Sequence, residues 1–449
     1  MNPAANGSAS VTNVAVVDVE KGCLIQDQTI LIEADQIAGI GNDAELHIPK
    51  ETLRVDGHGL YLLPGLVDAH VHFFDPSTFG PMMIAHGVTL VRDMGNQSDQ
   101  ALVLRRKLQE GDILGPEMIT TGSILDGAPP FLPPISISCK TPEEGREAVR
   151  KQAALKVDQI KVYSRLEKDV FLAITDEAQQ FSMKIVGHIP ESVDIEEAAA
   201  GGQQSCEHLF GFGNLIAKLL GEPVQFKSGG IGSDTPYFLR LPEVDREKLQ
   251  DALNQIRTHA MAVCPTLVVF KHGKHLKDTL AGRHPMAEYI SPTIRGIWDS
   301  IWGTSQQDMD ASALDRLLRA MQAFIKILQR ANITLLVGTD LLFPGVIPGH
   351  SVHEEMALWQ EAGISPIDTL RSATIVPARF LGLAHRLGTV AEGRTASMVL
   401  VRDNPLEDVR NANKIEAVFL RGRFFSRQDL NRLMQETKSL CSHSCTHDT

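Results

Sequence analysis

The hydrophobic pattern has a period of two residues near both ends of the chain. Residues 11–63 hold short runs such as VTNVAVVDV, in which apolar and polar positions alternate, and Gly, Asn and Asp separate the runs. Residues 387–426 return to the same texture, for example in KIEAVFLRGRFF. Such alternation, rich in β-branched residues, predicts β-strands joined by turns. We therefore expect one β-sandwich domain that combines residues 1–63 with residues 387–426.

Between these ends, residues 64–386 alternate short apolar runs with helical stretches. The eight strand candidates are GLVDAHVHFF, GVTLVRDM, EMITTGSI, QIKVY, KIVGHI, QSCEHLF, AVCPTLVVF and TLLVGTD. Helical patterns lie between them, and TPEEGREAVRKQAAL opens with a Thr–Pro pair and acidic residues, as helix starts do. Eight strands that alternate with helices predict an α/β fold of the (β/α)8 TIM barrel type. Residues 427–449 are expected to form a C-terminal tail.

Charge and composition exclude several kinds of partner. The formal net charge of −12 at pH 7 disfavours nucleic acid, which requires a basic face. No apolar run approaches the roughly 18 residues of a membrane span, and the first residues lack the pattern of a signal peptide. The six cysteines show no disulfide framework, and the segment CSHSCTHDT (441–449) fits no closed tetrahedral metal site. We expect a cytoplasmic protein with a small-molecule substrate and a disordered end, and leave a homo-oligomer open.

Two histidines end the first barrel strand. His70 and His72 in GLVDAHVHFF are two residues apart, so they project from the same face of a strand. At the carboxyl end of a barrel strand, that face lines the mouth where active sites lie. Two imidazoles there can bind one transition metal. Taken alone the motif decides little, because surface strands also produce it by chance.

Four later strand ends carry further candidate ligands. They are Lys161 in QIKVY, His188 in KIVGHI, His208 in QSCEHLF and Asp340 in LLVGTD. Each has an ordinary explanation, since a histidine can be a satisfied core residue and Asp340 can cap the following helix. Independent accidents rarely coincide at functional strand ends, and the set therefore predicts a metal site.

Lys161 requires a separate hypothesis, because an ammonium group cannot bind a cation. Near two divalent metals its pKa would fall, since the like charge disfavours protonation. The neutral amine can then add carbon dioxide to give a carbamate, whose two oxygens can bridge two metals. The expected cofactors are therefore two divalent ions and a carbamate derived from CO2 on Lys161. Zinc is the first expectation, with manganese, cobalt and iron as alternatives.

The motifs quoted above resemble those of the amidohydrolase superfamily over residues 12 to 425. PGLVDAHVH is similar to its first-strand motif, GVTLVRDMG to its second strand and VGTD to its eighth. The K-V-Y, G-H and E-H pairs most resemble the prolidase-like and imidazolonepropionase-related group. The resemblance implies a barrel with a β-sandwich made from both chain ends. One departure is Ser397 in GRTAS, which stands where the family usually has Asp.

The resemblance also assigns the ligands. It implies that His70, His72 and Asp340 hold the more buried metal. His188 and His208 would hold the other, with carboxylated Lys161 and a hydroxide between the two ions.

The implied activity is metal-dependent hydrolysis of a carbon–nitrogen amide or peptide bond in a dipeptide or an N-acyl or carbamoyl compound. Asp340 would accept the proton of the attacking hydroxide and pass it to the leaving amine. Tyr163, Arg165 and His353 are the candidate substrate-binding residues. The proline-rich loop GAPPFLPP (127–134) would form a stiff apolar wall, whereas an aromatic content of only 5% implies no aromatic cage.

Three alternatives remain open at this point. A single-metal deaminase or cyclic-amide hydrolase is the nearest, although such relatives often lack the lysine of the fourth strand. Lactone or phosphoester cleavage by the same kind of site is the second. A non-catalytic scaffold that has lost its metals is the third, and the complete set of candidate ligands disfavours it.

Overall fold

The computed structural model describes residues 8–42, 46–223, 235–303 and 311–443. Most of the Cys/His segment 441–449 therefore lies outside the described residues. The helices and strands follow the order that the hydrophobic pattern predicts.

The strands are β1 (Ala9–Asp18), β2 (Cys23–Glu33), β3 (Gln36–Gly41), β4 (Leu53–Asp56), β5 (Tyr61–Pro64), β6 (Leu66–Val71), β7 (Val88–Asp93), β8 (Glu117–Thr120), β9 (Ile124–Asp126), β10 (Ser136–Ser138), β11 (Gln159–Val162), β12 (Lys184–Gly187), β13 (Ser205–Glu207), β14 (Ala262–Cys264), β15 (Met398–Val401), β16 (Ile415–Leu420) and β17 (Arg423–Ser426). The helices are α1 (Pro76–Ala85), α2 (Ser98–Glu110), α3 (Pro142–Leu155), α4 (Lys168–Gln180), α5 (Ile195–Ala200), α6 (Phe212–Leu219), α7 (Arg246–Thr258), α8 (Leu267–Gly273), α9 (Leu276–Leu280), α10 (Pro292–Trp302), α11 (Ala311–Arg330), α12 (His350–Glu361), α13 (Pro366–Ser372), α14 (Ile375–Phe380) and α15 (Arg427–His443).

The two ends of the chain form one sheet, in the order β17-β16-β15-β5-β1-β2-β3, with β4 paired to β1. Strand β15 lies antiparallel to β5, so the returning chain completes the N-terminal strands. Because successive side chains of a strand point to opposite faces, both faces of the sheet can be covered. Met398 and Leu400 of β15 pack in the sheet's own core, whereas Val399 and Val401 pack in the core that includes the barrel.

The barrel strands pair in parallel. β6, β7 and β8 form one group, β11 pairs with β12, and β13 pairs with β14. Backbone hydrogen bonds join the groups: Asp158 N donates to Thr120 O over 2.9 Å, and Gln204 N donates to Ile185 O over 2.7 Å. The parallel arrangement brings the carboxyl ends of all these strands to one edge.

The eighth barrel position is residues 335–341, a segment that forms isolated β-bridges and bonds to both of its neighbours. Leu336 N donates to Val263 O of β14, and Ala69 N of β6 donates to Val337 O, each over 2.9 Å. These contacts close the ring. The predicted fold, a (β/α)8 barrel with a sheet domain from both chain ends, is confirmed.

The structure corrects the expectation of a C-terminal tail, because residues 427–443 form helix α15. It packs against α1, and Leu430, Thr437 and Cys441 are buried. Their spacing of seven and four residues places them on one face of a helix. The sequence prediction overlooked this weak amphipathic pattern within a polar segment.

Two smaller observations complete the fold. Ser397, which stands where Asp was expected, lies directly before β15, and its Oγ accepts a hydrogen bond from Arg421 N over 3.1 Å, so this turn is satisfied locally. Among the described residues, no helix combines the length and the apolar character that crossing a membrane requires.

Candidate metal centre

Asp340 is the point at which the predicted ligands meet. Its Oδ1 lies 3.4 Å from His70 Nε2 and 3.7 Å from His72 Nε2. Its Oδ2 lies 4.0 Å from His208 Nδ1. One ligand atom from each of His70, His208 and Asp340 lies within 4.8 Å of the other two. Side chains from the first, sixth and eighth barrel segments are therefore close enough to share a metal ion.

Lys161 and His188 lie beside this group, and both are buried. Pairing of β11 with β12 sets Lys161 opposite Val186, two residues before His188. The imidazole of His188 has its centroid 5.0 Å from that of His208. Burial lowers the pKa of Lys161 to about 8. The structure thus brings all six predicted ligands to the same edge of the barrel.

The chemical state of these groups fits a divalent metal. His70 Nε2 and His188 Nε2 are buried and have no hydrogen-bond partner among the described residues. Burial, with the charge of Lys161, holds the pKa of His70 well below its usual range and lowers the pKa of His72 to about 4. Neutral imidazoles are the form that binds metals. A buried nitrogen without a partner costs about 1–3 kcal/mol, a cost that coordination would offset.

His70 is oriented by a buried ion pair that the sequence reasoning missed. Its Nδ1 donates to Glu207 Oε2 over 2.8 Å. Arg92 Nη2 donates to both carboxylate oxygens of Glu207 over 2.9 Å, and Ser205 Oγ donates to Oε1 over 2.5 Å. Arg92 and Glu207 are fully buried. This arrangement holds His70 in the tautomer that leaves Nε2 free for a metal.

The other imidazoles of the centre are held in the same way. His72 Nδ1 donates to the Gly95 carbonyl over 2.8 Å. His188 Nδ1 lies 2.9 Å from Ser164 Oγ. In both residues the Nδ1 contact fixes the ring and leaves Nε2 for the centre.

Asp68 ties the first barrel strand to the eighth segment. It accepts hydrogen bonds from Thr339 Oγ1 over 2.6 Å and from Thr339 N over 3.0 Å. His70 N donates to the same carboxylate over 3.3 Å. Burial raises the pKa of Asp68 to about 7. Asp68 therefore fixes the spacing between His70 and the backbone directly before Asp340.

Backbone strain collects at the strand ends of the centre. The φ angles are 60° at His208 and Leu209, 48° at Thr266 and 58° at Asp340, although none of these residues is glycine. Such conformations cost about 1–3 kcal/mol each and persist where the surrounding structure requires them. Thr266 Oγ1 lies 2.7 Å from His208 Nδ1, so the strained turn after β14 supports a candidate ligand.

One of the three predicted substrate-binding residues, Tyr163, contacts a candidate ligand. The ring of Tyr163 stacks on His188 with centroids 3.9 Å apart. Burial raises the pKa of Tyr163, so its hydroxyl remains a hydrogen-bond donor. Arg165 is half-buried, lies over the ring of Phe131 at 5.3 Å, and donates from Nη1 to Pro129 O over 3.0 Å.

The prediction that His353 binds substrate is wrong. Its Nε2 donates to the carbonyl of His86 over 2.9 Å, and the ring is buried between α12 and the end of α1. His86 precedes β7, at the barrel edge opposite the carboxyl strand ends. The contact with His86 at the end of α1 directs this side chain, and nothing in the local sequence indicates that direction.

A comparison with known protein families identifies the family of this chain. The model of the amidohydrolase family matches residues 61–425, which include the whole barrel and most of the returning sheet strands. The chain belongs to the amidohydrolase family. The predicted resemblance is thereby confirmed.

Curated relatives match over short segments. Adenine deaminase of Staphylothermus marinus is 36% identical over 87 residues, 18% of this chain and 14% of that protein. Dihydroorotase of Methanothermobacter thermautotrophicus is 40% identical over 70 residues, 13% of this chain and 16% of that protein. The chain thus matches less than a fifth of the length of either amidohydrolase relative.

Solved structures match over nearly the whole chain. Bottromycin amidohydrolase has a TM-score of 0.75 and 24% identity, with 97% of this chain and 91% of that chain covered. An Xaa-Pro dipeptidase with methionine in its active site has a TM-score of 0.67 and 17% identity, with 94% and 100% covered. At this level of identity, the likeness shows the shared fold.

Proposed function

We propose that this amidohydrolase-family protein is a metal-dependent hydrolase that cleaves a carbon–nitrogen amide bond in a small molecule. The observation that carries the proposal is the convergence of His70, His72 and His208 on the carboxylate of Asp340. Buried imidazole nitrogens without partners, in neutral rings, form a set of donors typical of transition metals.

Two ions are the cofactors in this proposal. His70, His72 and Asp340 would hold one ion, and His188 and His208 the other. When bound, two such ions supply a hydroxide near neutral pH and polarise the scissile carbonyl. Zinc is the first candidate, with manganese, cobalt and iron as alternatives.

Lys161 is proposed to act as a carbamate. In that step the neutral amine nitrogen forms a bond to the carbon of CO2 and releases one proton. The supporting observation is position, because Lys161 is fully buried beside the candidate ligands yet cannot bind a cation as an ammonium group. The carbamate would give it a carboxylate for both ions.

Asp340 is the proposed proton carrier. Its burial raises its pKa, which favours accepting a proton when the nucleophile attacks. The same carboxyl group would then deliver that proton to the leaving amine nitrogen. Tyr163 is proposed to donate to the substrate carbonyl, and Arg165 to bind a substrate carboxylate.

The proposed substrate class is a dipeptide or an N-acyl or carbamoyl compound. Supporting it are the neighbours in fold, which include an Xaa-Pro dipeptidase and a bottromycin amidohydrolase. The test is a screen of metal-loaded protein against Xaa-Pro and Xaa-Arg dipeptides, N-acyl amino acids and carbamoyl amino acids. We expect release of a free amine and about two divalent ions per chain by elemental analysis. Metal-replete protein that cleaves no amide in these libraries would contradict the proposal.

Deamination is a second candidate, favoured by the short matches to adenine deaminases. The two activities are separated by their products. Release of ammonia from adenine, without amine release from any acyl or peptide substrate, would support deamination over the leading proposal.

A further inference from the structure

Aromatic rings surround the candidate metal centre, contrary to the expectation from composition. Phe210 packs edge-on against two candidate ligands, with ring centroids 4.5 Å from His188 and 5.3 Å from His208. Phe74 lies 5.9 Å from His72. The side chains of Phe74 and Phe210 are only half-buried.

A second run of rings leads outward from His188. Tyr163 stacks on His188 at 3.9 Å, and Phe131 lies 6.0 Å from Tyr163. Phe131 is also half-buried and belongs to the proline-rich loop 127–134. We name Phe74, Phe131, Tyr163 and Phe210 the aromatic rim.

The loop that carries Phe131 is held in place by hydrogen bonds. The buried carboxylate of Asp126 accepts from Gly127 N over 2.9 Å, from Phe131 N over 2.7 Å and from Arg165 N over 2.9 Å. The guanidinium of Arg165 in turn donates to Pro129 O. These bonds order Phe131 before a ligand arrives, which reduces the entropy cost of binding.

Phe210 is positioned by the strained turn after β13. The residues before it, His208 and Leu209, both have φ of 60°, and Phe210 N donates to Glu207 O over 3.1 Å. The same turn therefore orients a candidate metal ligand and a ring of the rim. A substrate ring that contacts Phe210 would lie beside the scissile bond.

Charge lies next to one of these rings. The Arg165 guanidinium carbon is 5.3 Å from the centroid of Phe131, so an aromatic group and a carboxylate of one ligand fragment could contact both side chains. Half-exposed rings grouped at one site present apolar surface that a ligand can cover. Aromatic pairs add to this burial with edge-to-face or offset geometry.

We propose that the substrate is an N-acylated aromatic amino acid, including dipeptides that end in one, whose ring contacts the aromatic rim and whose carboxylate pairs with Arg165. The inference rests on the proposed amide hydrolysis and names its substrate class. Hydrolysis adds water across the amide bond, so the acyl carbon gains the hydroxyl and the aromatic amino acid leaves as a free amine.

The test uses the full-length, metal-loaded protein and two readouts. The first is kcat/KM for N-acetyl-L-phenylalanine against N-acetyl-L-alanine. The second is calorimetric binding of the product amino acids L-phenylalanine and L-alanine, which requires no turnover. We expect phenylalanine compounds to be favoured by about tenfold or more in both readouts, the sum of several ring contacts.

Variants test whether the aromatic rim causes the preference for phenylalanine over alanine. F131L and F210L should each reduce this preference by about three- to tenfold. R165Q should weaken the binding of both amino acids, because both carry the carboxylate. F181L is the matched control, because Phe181 is 46% exposed directly after α4, at the opposite barrel edge, and should leave the preference unchanged.

A wild-type protein without aromatic preference, or a preference that survives in both F131L and F210L, would overturn the inference. Preferential binding of phenylalanine without hydrolysis of any amide would refute the proposed function and leave the ring-binding site intact.

Discussion

Two groups of buried histidines among the described residues differ in how their nitrogens are used. In the candidate metal centre, the Nε2 atoms of His70 and His72 approach one carboxylate oxygen of Asp340 at 3.4 and 3.7 Å. In the second group, His353 Nε2 donates to the His86 carbonyl, and His86 Nδ1 donates to Met82 O. Burial lowers the pKa of His353 to about 4 and of His86 to about 3, so a perturbed pKa occurs in both groups.

The two groups differ in what their imidazole nitrogens face. Backbone carbonyls face a nitrogen of His86 and of His353, as expected of core polar residues. His70 and His72 contact a side-chain or backbone group with Nδ1 and bring Nε2 to one shared carboxylate oxygen, and His208 lies beside the same carboxylate. Convergence of ligand atoms, and not burial of histidine, therefore distinguishes the site.

The largest expected effect is that of D340N on activity. The variant keeps the shape of the side chain but removes the proton acceptor, so kcat should fall by about 100-fold to 10,000-fold. The measurement is steady-state kinetics on the best amide of the screen, with metal content determined in the same samples. D403N, which changes an exposed Asp, is the control. Near-normal kcat in a metal-replete D340N protein would refute the proposed role.

E207Q tests whether the partner of His70 matters for metal binding. The variant weakens the hydrogen bond to Nδ1 and leaves the buried Arg92 without its full counter-charge, so metal affinity should fall by about 10- to 100-fold. Competition with a chelator measures that affinity, and thermal unfolding checks that the protein remains folded. An unchanged metal affinity would show that Glu207 serves the fold and not the centre.

H353Q examines the second group directly. Loss of the buried hydrogen bond to His86 should lower the free energy of unfolding by about 1–3 kcal/mol. Activity of the folded protein and its metal content should remain at wild-type values, because the ring faces α1. Urea unfolding and kinetics below the midpoint measure both, and a selective loss of turnover would restore the original substrate-binding prediction.

The smallest expected effect concerns pH. Although burial opposes it, the hydrogen bond from His272 and the charge of Lys271 hold the pKa of Glu354 below its ordinary value of 4.5. A lowered carboxyl pKa contributes stability that is present above the unfolded pKa and is lost as the pH falls toward the folded pKa. Wild-type protein should therefore exceed E354Q in stability by about 1 kcal/mol at pH 7. The gap should narrow below pH 4.5 in urea unfolding; a gap independent of pH would exclude this ionic contribution.

Local patterns were sufficient for the barrel and for the positions of the six candidate ligands. His70, His188 and Asp340 each end an apolar run, and a parallel barrel necessarily gathers those ends at one edge. The support of the centre could not be read in the same way. Arg92 in GVTLVRDM and Glu207 in QSCEHLF are visible as charges within buried strands, yet nothing in either motif identifies the other as its partner.

The sequence by itself determined the order of elements and the residue types at strand ends, because both follow from patterns within about ten residues. Tertiary structure alone decided where side chains point when elements far apart in sequence pack together. That packing directs His353 toward His86 and places α15 against α1. It also brings together the rings of the aromatic rim, which are far apart in sequence. A composition of 5% aromatic residues describes the average of the chain, whereas folding concentrates Phe131 and Phe210 beside the candidate metal centre.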